Sequence, residues 1–201
     1  MKRLRTDLVL IGEWIEEGSH VLDLGCGDGT LLAHLRETHR VTGYGLEIDD
    51  ENIVRCIKNN INVIHTDLNE GLSEFADQSF DYVVMTQAIQ TIRRPDELLL
   101  EMLRVGREVI ITFPSFGHWK ARFSLFFKGM MPVSRALPSD WYDTENIHLC
   151  TLKDFERLCR KKWIEILERA VVNIDHRTTT TMKLLPNLFG EIALYRLRRR
   201  T

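Results

Sequence analysis

At 201 residues, with 44% hydrophobic and 28% charged side chains, the chain is long enough for one domain with a substantial core and needs no disulfide or metal staple. Its net charge of −2 gives no global attraction to nucleic acid or to an anionic membrane, and no apolar run approaches the length of a membrane span. Cys26, Cys56, Cys150 and Cys159 show neither metal-ligand spacing nor a dense framework, so they read as free thiols of a reducing compartment.

The start, Met1 to Asp7, is basic, but Glu13 and Glu16 break the apolar stretch behind it. That pattern predicts an amphipathic helix over 7–17, with Leu8, Ile11, Trp14 and Ile15 inward, and not a signal peptide; a cytoplasmic location is the expectation. Gly18 and Ser19 end this helix, and Val21-Leu22-Asp23-Leu24 is a short strand. After Gly25-Cys26-Gly27-Asp28-Gly29, the leucines at 31, 32 and 35 predict a helix to about His39. Val41 to Ile48 reads as a second strand, followed by an acidic helix capped from Asp49-Asp50-Glu51. Asn62–His65, Phe80–Met85 and Val109–Ile111 are the third, fourth and fifth strands. Pro95 opens the intervening helix, with Leu98, Leu99, Met102 and Leu103 inward. Residues 114–150 carry three of the five prolines and many aromatics without a clean period. Thr151-Leu152-Lys153-Asp154 has the form of a capping box for a helix to about Lys162. Trp163–Val172 and Glu191–Arg198 read as two closing strands, with the Thr178–Thr181 run a polar loop or hairpin arm between them. Strands alternating with helices predict a mostly parallel sheet covered on both faces, in one domain over 1–201 that carries an aromatic-rich insertion at about 114–150.

The chemistry concentrates at Asp23-x-Gly25-x-Gly27-x-Gly29, between a strand and a helix. Glycines there let backbone approach a ligand, and a helix start offers unpaired N–H groups. A nicotinamide fingerprint would place its third glycine at position 30, which is Thr30 here. A carboxylate at Asp23 repels a pyrophosphate and suits the ammonium of a methionine moiety, so the ligand expected is an adenosyl cofactor that is cationic at that end. Glu47 follows Asp23 by 24 residues, near the spacing at which an acid accepts hydrogen bonds from both ribose hydroxyls; a solvated strand-end glutamate is the bland alternative. Asp67 after the third strand can accept an adenine amino group while Leu68 packs on the ring, or can simply cap the segment that follows.

These residues, with Phe80-Asp81-Tyr82-Val83-Val84, resemble the class I S-adenosylmethionine-dependent methyltransferases over Val21 to about Pro114. The resemblance implies a Rossmann-like α/β fold: a seven-stranded, mostly parallel sheet with its last strand antiparallel and helices on both faces. It also implies S-adenosylmethionine or S-adenosylhomocysteine as cofactor, held by Asp23, Gly25, Gly27, Gly29, Glu47, Asp67, Leu68 and Gln87. A closer resemblance, to the MetW family of methionine biosynthesis, runs over nearly the whole chain. It is carried by Gly43-Tyr44-Gly45-Leu46-Glu47, Gln87-Ala88-Ile89-Gln90, Phe116-Gly117-His118-Trp119, Trp141-Tyr142-Asp143-Thr144, Asn146-Ile147-His148-Leu149-Cys150 and Asn187-Leu188-Phe189-Gly190-Glu191. MetW-like sequence implies an accessory role with a homoserine O-acyltransferase, MetX, and no particular methyl acceptor.

Methyl transfer needs a general base only where the acceptor must lose a proton. Gln87 and Gln90 stand where many small-molecule methyltransferases carry histidine, and glutamine takes no proton at neutral pH. Val105-Gly106-Arg107-Glu108 replaces the usual Pro-Gly-Gly turn. His118, Tyr142 and His148 are the remaining titratable candidates, with Asp140 and Asp143 nearby, and no catalytic residue is assigned. The aromatic segment exceeds what one fold readily buries, so it reads as a partner face with Trp119 and Trp141 as anchors, or as a substrate lid. The alternative to the accessory role is an active methyltransferase on a small metabolite. The basic tail Arg196, Arg198, Arg199 and Arg200 has no aromatic platform beside it and reads as a solvated chain end.

Overall fold

A computed structural model describes residues 6–173 and 179–200. Residues 1–5 of the basic start and Thr178 lie outside the described residues. The chain alternates helix and strand from α1 (Thr6–Glu13) through β1 (His20–Leu24), α2 (Thr30–His39), β2 (Thr42–Glu47), α3 (Asp50–Lys58) and β3 (Val63–His65). Then follow β4 (Phe80–Thr86), α4 (Pro95–Val105), β5 (Gly106–Pro114) and α5 (Trp119–Phe123), which continues into a π turn over Ser124–Lys128. The last elements are α6 (Leu152–Lys161), β6 (Ile164–Val172), α7 (Thr180–Leu184), α8 (Pro186–Phe189) and β7 (Ile192–Arg199).

The strands form one seven-stranded sheet in the order β3-β2-β1-β4-β5-β7-β6. All neighbours up to β5 run parallel; β7 runs antiparallel to both β5 and β6. The expected sheet is therefore present, with its single reversed strand at the end of the chain. Parallel strands need helical crossovers, and these cover both faces. Alternation along β1 sends Leu22 and Leu24 to a core with Met85, Phe113, α4 and α6, and Val21 to a second core with α1 and α2. Asp23 shares the face of Val21, so a carboxyl group is sent into an apolar layer.

Several elements differ from the sequence expectations. α1 ends at Glu13, and two tighter turns, Trp14 N–H to Ile11 C=O and Ile15 N–H to Gly12 C=O, still bring Ile15 into the core. The Val105–Glu108 stretch is no turn: α4 ends at Val105 and β5 starts at Gly106, packed so closely on β4 that a Cβ there would come within 2.6 Å of Val83 Cγ2. The expected loop or hairpin arm near Thr181 is a helix, because the Thr179 side chain accepts the Met182 N–H and caps α7. The Thr151–Asp154 capping box is complete, with both reciprocal bonds made.

Candidate functional site

The strand order reverses between β1 and β4, where open α/β sheets leave a crevice at the carboxyl ends of the strands. The glycine loop after β1, Glu47 at the end of β2, Asp67 after β3 and Gln87 after β4 all fall on that edge. The loop and the β4 turn approach across the switch point, since a Cβ on Gly25 would lie 3.3 Å from the Ala88 Cβ.

Gly25, Gly27 and Gly29 all adopt positive φ, which explains their residue type. Their environments differ. A Cβ on Gly29 would crowd Cys56 Sγ and Ile61 Cγ1 at 3.1 Å, so this glycine serves helix packing. Beside Gly27 nothing lies within 4 Å, so its missing side chain leaves open space in front of the loop. Five of the six loop amides from Gly25 to Thr30, expected to be unpaired, have partners within the protein. Gly25 and Cys26 N–H donate to Leu46 C=O, Gly29 N–H to Cys26 C=O, and Thr30 N–H to Asp28 Oδ1. Gly27 N–H donates to Glu47 Oε2 at 2.7 Å. These amides are therefore not offered to an anion, unlike those of a pyrophosphate-binding loop.

Glu47 is not a solvated strand end. It is 8% exposed, and its Oε1 accepts the N–H groups of Ile48 at 2.9 Å and Asp49 at 3.0 Å while Oε2 holds Gly27. One carboxylate thus fixes the glycine loop and the entry to α3. Glu47→Ala removes three charge-assisted bonds at once and is expected to cost about 2–4 kcal/mol of folding stability, read from urea denaturation. A loss below about 0.5 kcal/mol would mean that the loop is held elsewhere.

Asp23 is 1% exposed, and its Oδ1 is buried with no hydrogen-bond partner. Burial, and then the charge of Glu47, push its carboxyl up to about 7. An orphaned carboxylate oxygen beside a second acid is the polarity that an ammonium group satisfies. The open space at Gly27 and the orphaned atom at Asp23 together fit an amino-acid-bearing nucleoside better than a dinucleotide.

Asp67 caps the turn over Leu68–Glu70: its Oδ1 accepts both the Asn69 N–H and the Asn69 side-chain amide, and these bonds hold its carboxyl below the usual range. The capping role is realised, and Oδ2 is left over. Leu68 is half-buried against the α4-side core. Gln87 has φ of 59°, an uncommon conformation for a residue with a side chain, and its N–H bonds to Thr112 on β5. Its side-chain amide lies 3.4 Å from Asp7 Oδ2. Asp7 is fully buried on α1 and is not among the residues expected at the site. Its signal in the sequence is an acid on the inward helical face of Ile11.

Gln90 is structural. Its amide nitrogen bonds to Pro114 C=O and Cys150 Sγ, and its backbone carbonyl accepts the N–H groups of Ile147 and His148. It ties the β4 turn to the end of the insertion. His118 caps α5 by accepting the Lys120 N–H at Nδ1, and burial lowers its pKa. His148 Nε2 lies 3.2 Å from Arg93 C=O, and the exposed Tyr142 hydroxyl reaches Asp140 Oδ2 at 3.4 Å. Each candidate base has a local structural partner. No cluster of three or more His, Cys, Asp or Glu residues suited to a metal occurs among the described residues.

The sheet order, the reversed strand and the acid-lined switch point define the class I S-adenosylmethionine-dependent methyltransferase fold. An S-adenosylmethionine-dependent methyltransferase from Archaeoglobus fulgidus superposes with a TM-score of 0.68 at 15% identity, covering 97% of this chain and 92% of that one. The [4+2]-cyclase SpnF superposes with a TM-score of 0.69 at 16% identity, covering 98% and 82%, so the fold is not tied to one reaction. The family model described as methionine biosynthesis protein MetW matches residues 5–197, and the chain belongs to that family. A relative from Rhodopirellula baltica, the bifunctional methionine biosynthesis protein MetXA/MetW, is 36% identical over 200 residues; the match covers 95% of this chain and 32% of that protein. The chain therefore spans about a third of that relative's length.

Proposed function

We propose that this protein binds S-adenosylmethionine, or its demethylated product, at the β1–β4 switch point and acts as an accessory partner of a homoserine O-acyltransferase. The buried, unpartnered Asp23 carboxylate carries the cofactor reading. In this reading the cofactor's ammonium meets Asp23, its ribose meets Glu47, its adenine meets Asp67 and Leu68, and Gln87 borders the methyl-bearing end. The cofactor's chemistry would be an activated methyl group on a sulfonium. The protein's part is to hold the charged tail and sugar through groups that β1, β2 and the glycine loop already fix.

The partner reading is supported by the fused relative, whose name joins MetXA to MetW in one polypeptide, and by the insertion's surface. Phe126 is 82% exposed, Tyr142 73%, Trp141 72% and Phe127 68%. Monomeric proteins rarely display so many large apolar groups on one segment. No helix among the described residues is long and apolar enough to cross a membrane, so the patch does not belong to such a span.

Calorimetry with S-adenosylmethionine tests the cofactor reading. Gly27→Ala places a methyl group in the open space and keeps a conformation that costs alanine about 1 kcal/mol. The variant is expected to fold and to lose at least about tenfold in affinity. Absence of heat with the wild-type protein at millimolar ligand, or unchanged binding by the variant, would overturn it.

A further inference from the structure

The insertion forms one wall of an open cleft of about 380 Å³ between the end of β5, α5 and the start of β7. Its volume is in the range of small-molecule sites. Ser115 and His118, both buried, lie at the β5 end. Trp119, Phe123, Val133 and Leu137 supply apolar wall. Lys120 and Lys128 supply cations, and Glu191 is the only acid among the described lining residues.

Among the described lining residues the charges do not balance. Glu191 Oε1 lies 3.5 Å from Lys120 Nζ, which accounts for one lysine. Lys128 forms no ion pair among the described residues. Burial lowers the pKa of His118 against the pull of Glu191, and its Nδ1 is taken by the Lys120 N–H. Ser115 Oγ accepts the Gly117 N–H at 3.2 Å, which leaves its hydroxyl proton to donate. Among the described residues the lining thus offers one ammonium without an ion pair, the hydroxyl protons of Ser115 and Ser134, and a large apolar wall. A phosphate dianion would find a single unpaired cation, and a cationic ligand would be repelled. A neutral apolar ligand would use the wall and leave Lys128 without a counter-charge.

We infer that this cavity binds a small organic monocarboxylate with a short apolar stem, its carboxylate toward Lys128 and its stem against Trp119 and Phe123. The site is separate from the glycine loop and does not depend on the cofactor assignment; it shares Trp119 with the proposed partner face.

Hexanoate serves as probe, with hexan-1-ol and hexylamine as neutral and cationic counterparts, titrated into the full chain by calorimetry. Hexanoate is expected to bind one per chain, with affinity falling as salt rises, and hexylamine not to bind. Lys128→Gln is expected to weaken hexanoate by about tenfold or more. Gly27→Ala is expected to leave hexanoate binding unchanged, which separates this site from the cofactor cleft. The inference is overturned by no binding at millimolar hexanoate, by hexan-1-ol binding as tightly as hexanoate, by a Lys128→Gln variant that binds normally, or by displacement of hexanoate with S-adenosylmethionine.

Discussion

Asp23→Asn is expected to make the ligand-free protein more stable at pH 8 and to abolish cofactor binding. The folded carboxyl titrates near 7, against an ordinary value of 3.8, because burial and the neighbouring Glu47 disfavour its charge. Between those two values the unfolded chain has released this proton and the folded chain still holds it. Stability therefore falls as pH rises from about 4 to about 7, and the penalty is complete above 7. Raising the carboxyl from 3.8 to about 7 corresponds to at most about 4 kcal/mol, and the asparagine amide finds no better partners, so a gain of about 1–4 kcal/mol is expected. Urea denaturation at pH 5 and pH 8 reads the difference: the wild-type protein should lose stability across that interval and the variant should lose less. Binding runs the opposite way. An ammonium stabilises the carboxylate, so affinity for S-adenosylmethionine should rise between pH 5 and pH 7 in the wild type. The variant should bind at least about a hundredfold more weakly, as expected when a buried ion pair loses one partner. Wild-type affinity in the variant would remove the ammonium from Asp23.

The same trade of stability for binding makes Asp23 legible in the sequence. A charged residue in an apolar strand breaks the local pattern, and such breaks concentrate at functional sites. β1 and β4 are equally legible, because buried parallel strands read as apolar runs, and α6 because its capping box is spelled out in Thr151 and Asp154. What the sequence does not disclose depends on contacts between distant segments. A glycine loop opening a helix predicts amides that face a ligand, yet Leu46 and Glu47 take those of Gly25, Cys26 and Gly27, and no spacing rule states that a neighbouring strand will supply acceptors. α7 and α8 span five and four residues, too few for a 3.6-residue period to register. Gln90 occupies a suggestive position after β4, but only packing joins it to β5 and the insertion.

In the aromatic segment composition and structure agree directly. Its composition predicts more apolar surface than one fold can bury, and α5 with its π turn leaves Phe123, Leu125, Phe126 and Phe127 at least 42% exposed. Part of the patch is pre-ordered: Phe127 packs against Phe123 and Phe126 at ring-centroid distances of 4.5 and 4.8 Å, and Trp141 against Tyr142 at 5.7 Å. Pre-packed aromatics lose little side-chain entropy on docking, which favours them as anchors.

Replacing Trp119 and Trp141 together with alanine is accordingly expected to release a homoserine O-acyltransferase from this protein. Trp141 is 72% exposed and Trp119 44%, so neither side chain holds the core and both variants should fold. Truncating a buried interface tryptophan often costs more than about 2 kcal/mol, so two anchors acting independently would weaken the complex by about a thousandfold. A pull-down with the acyltransferase from the same source reads the loss, and calorimetry with S-adenosylmethionine on the same sample shows whether the cleft survives. Trp119 also lines the insertion's cavity, so Trp141→Ala alone is the cleaner anchor test and should cost at least about tenfold. An intact complex with the double variant would remove the insertion from the interface. Loss of cofactor binding with the complex preserved would make the segment a lid over the cleft and would favour an active methyltransferase over an accessory subunit.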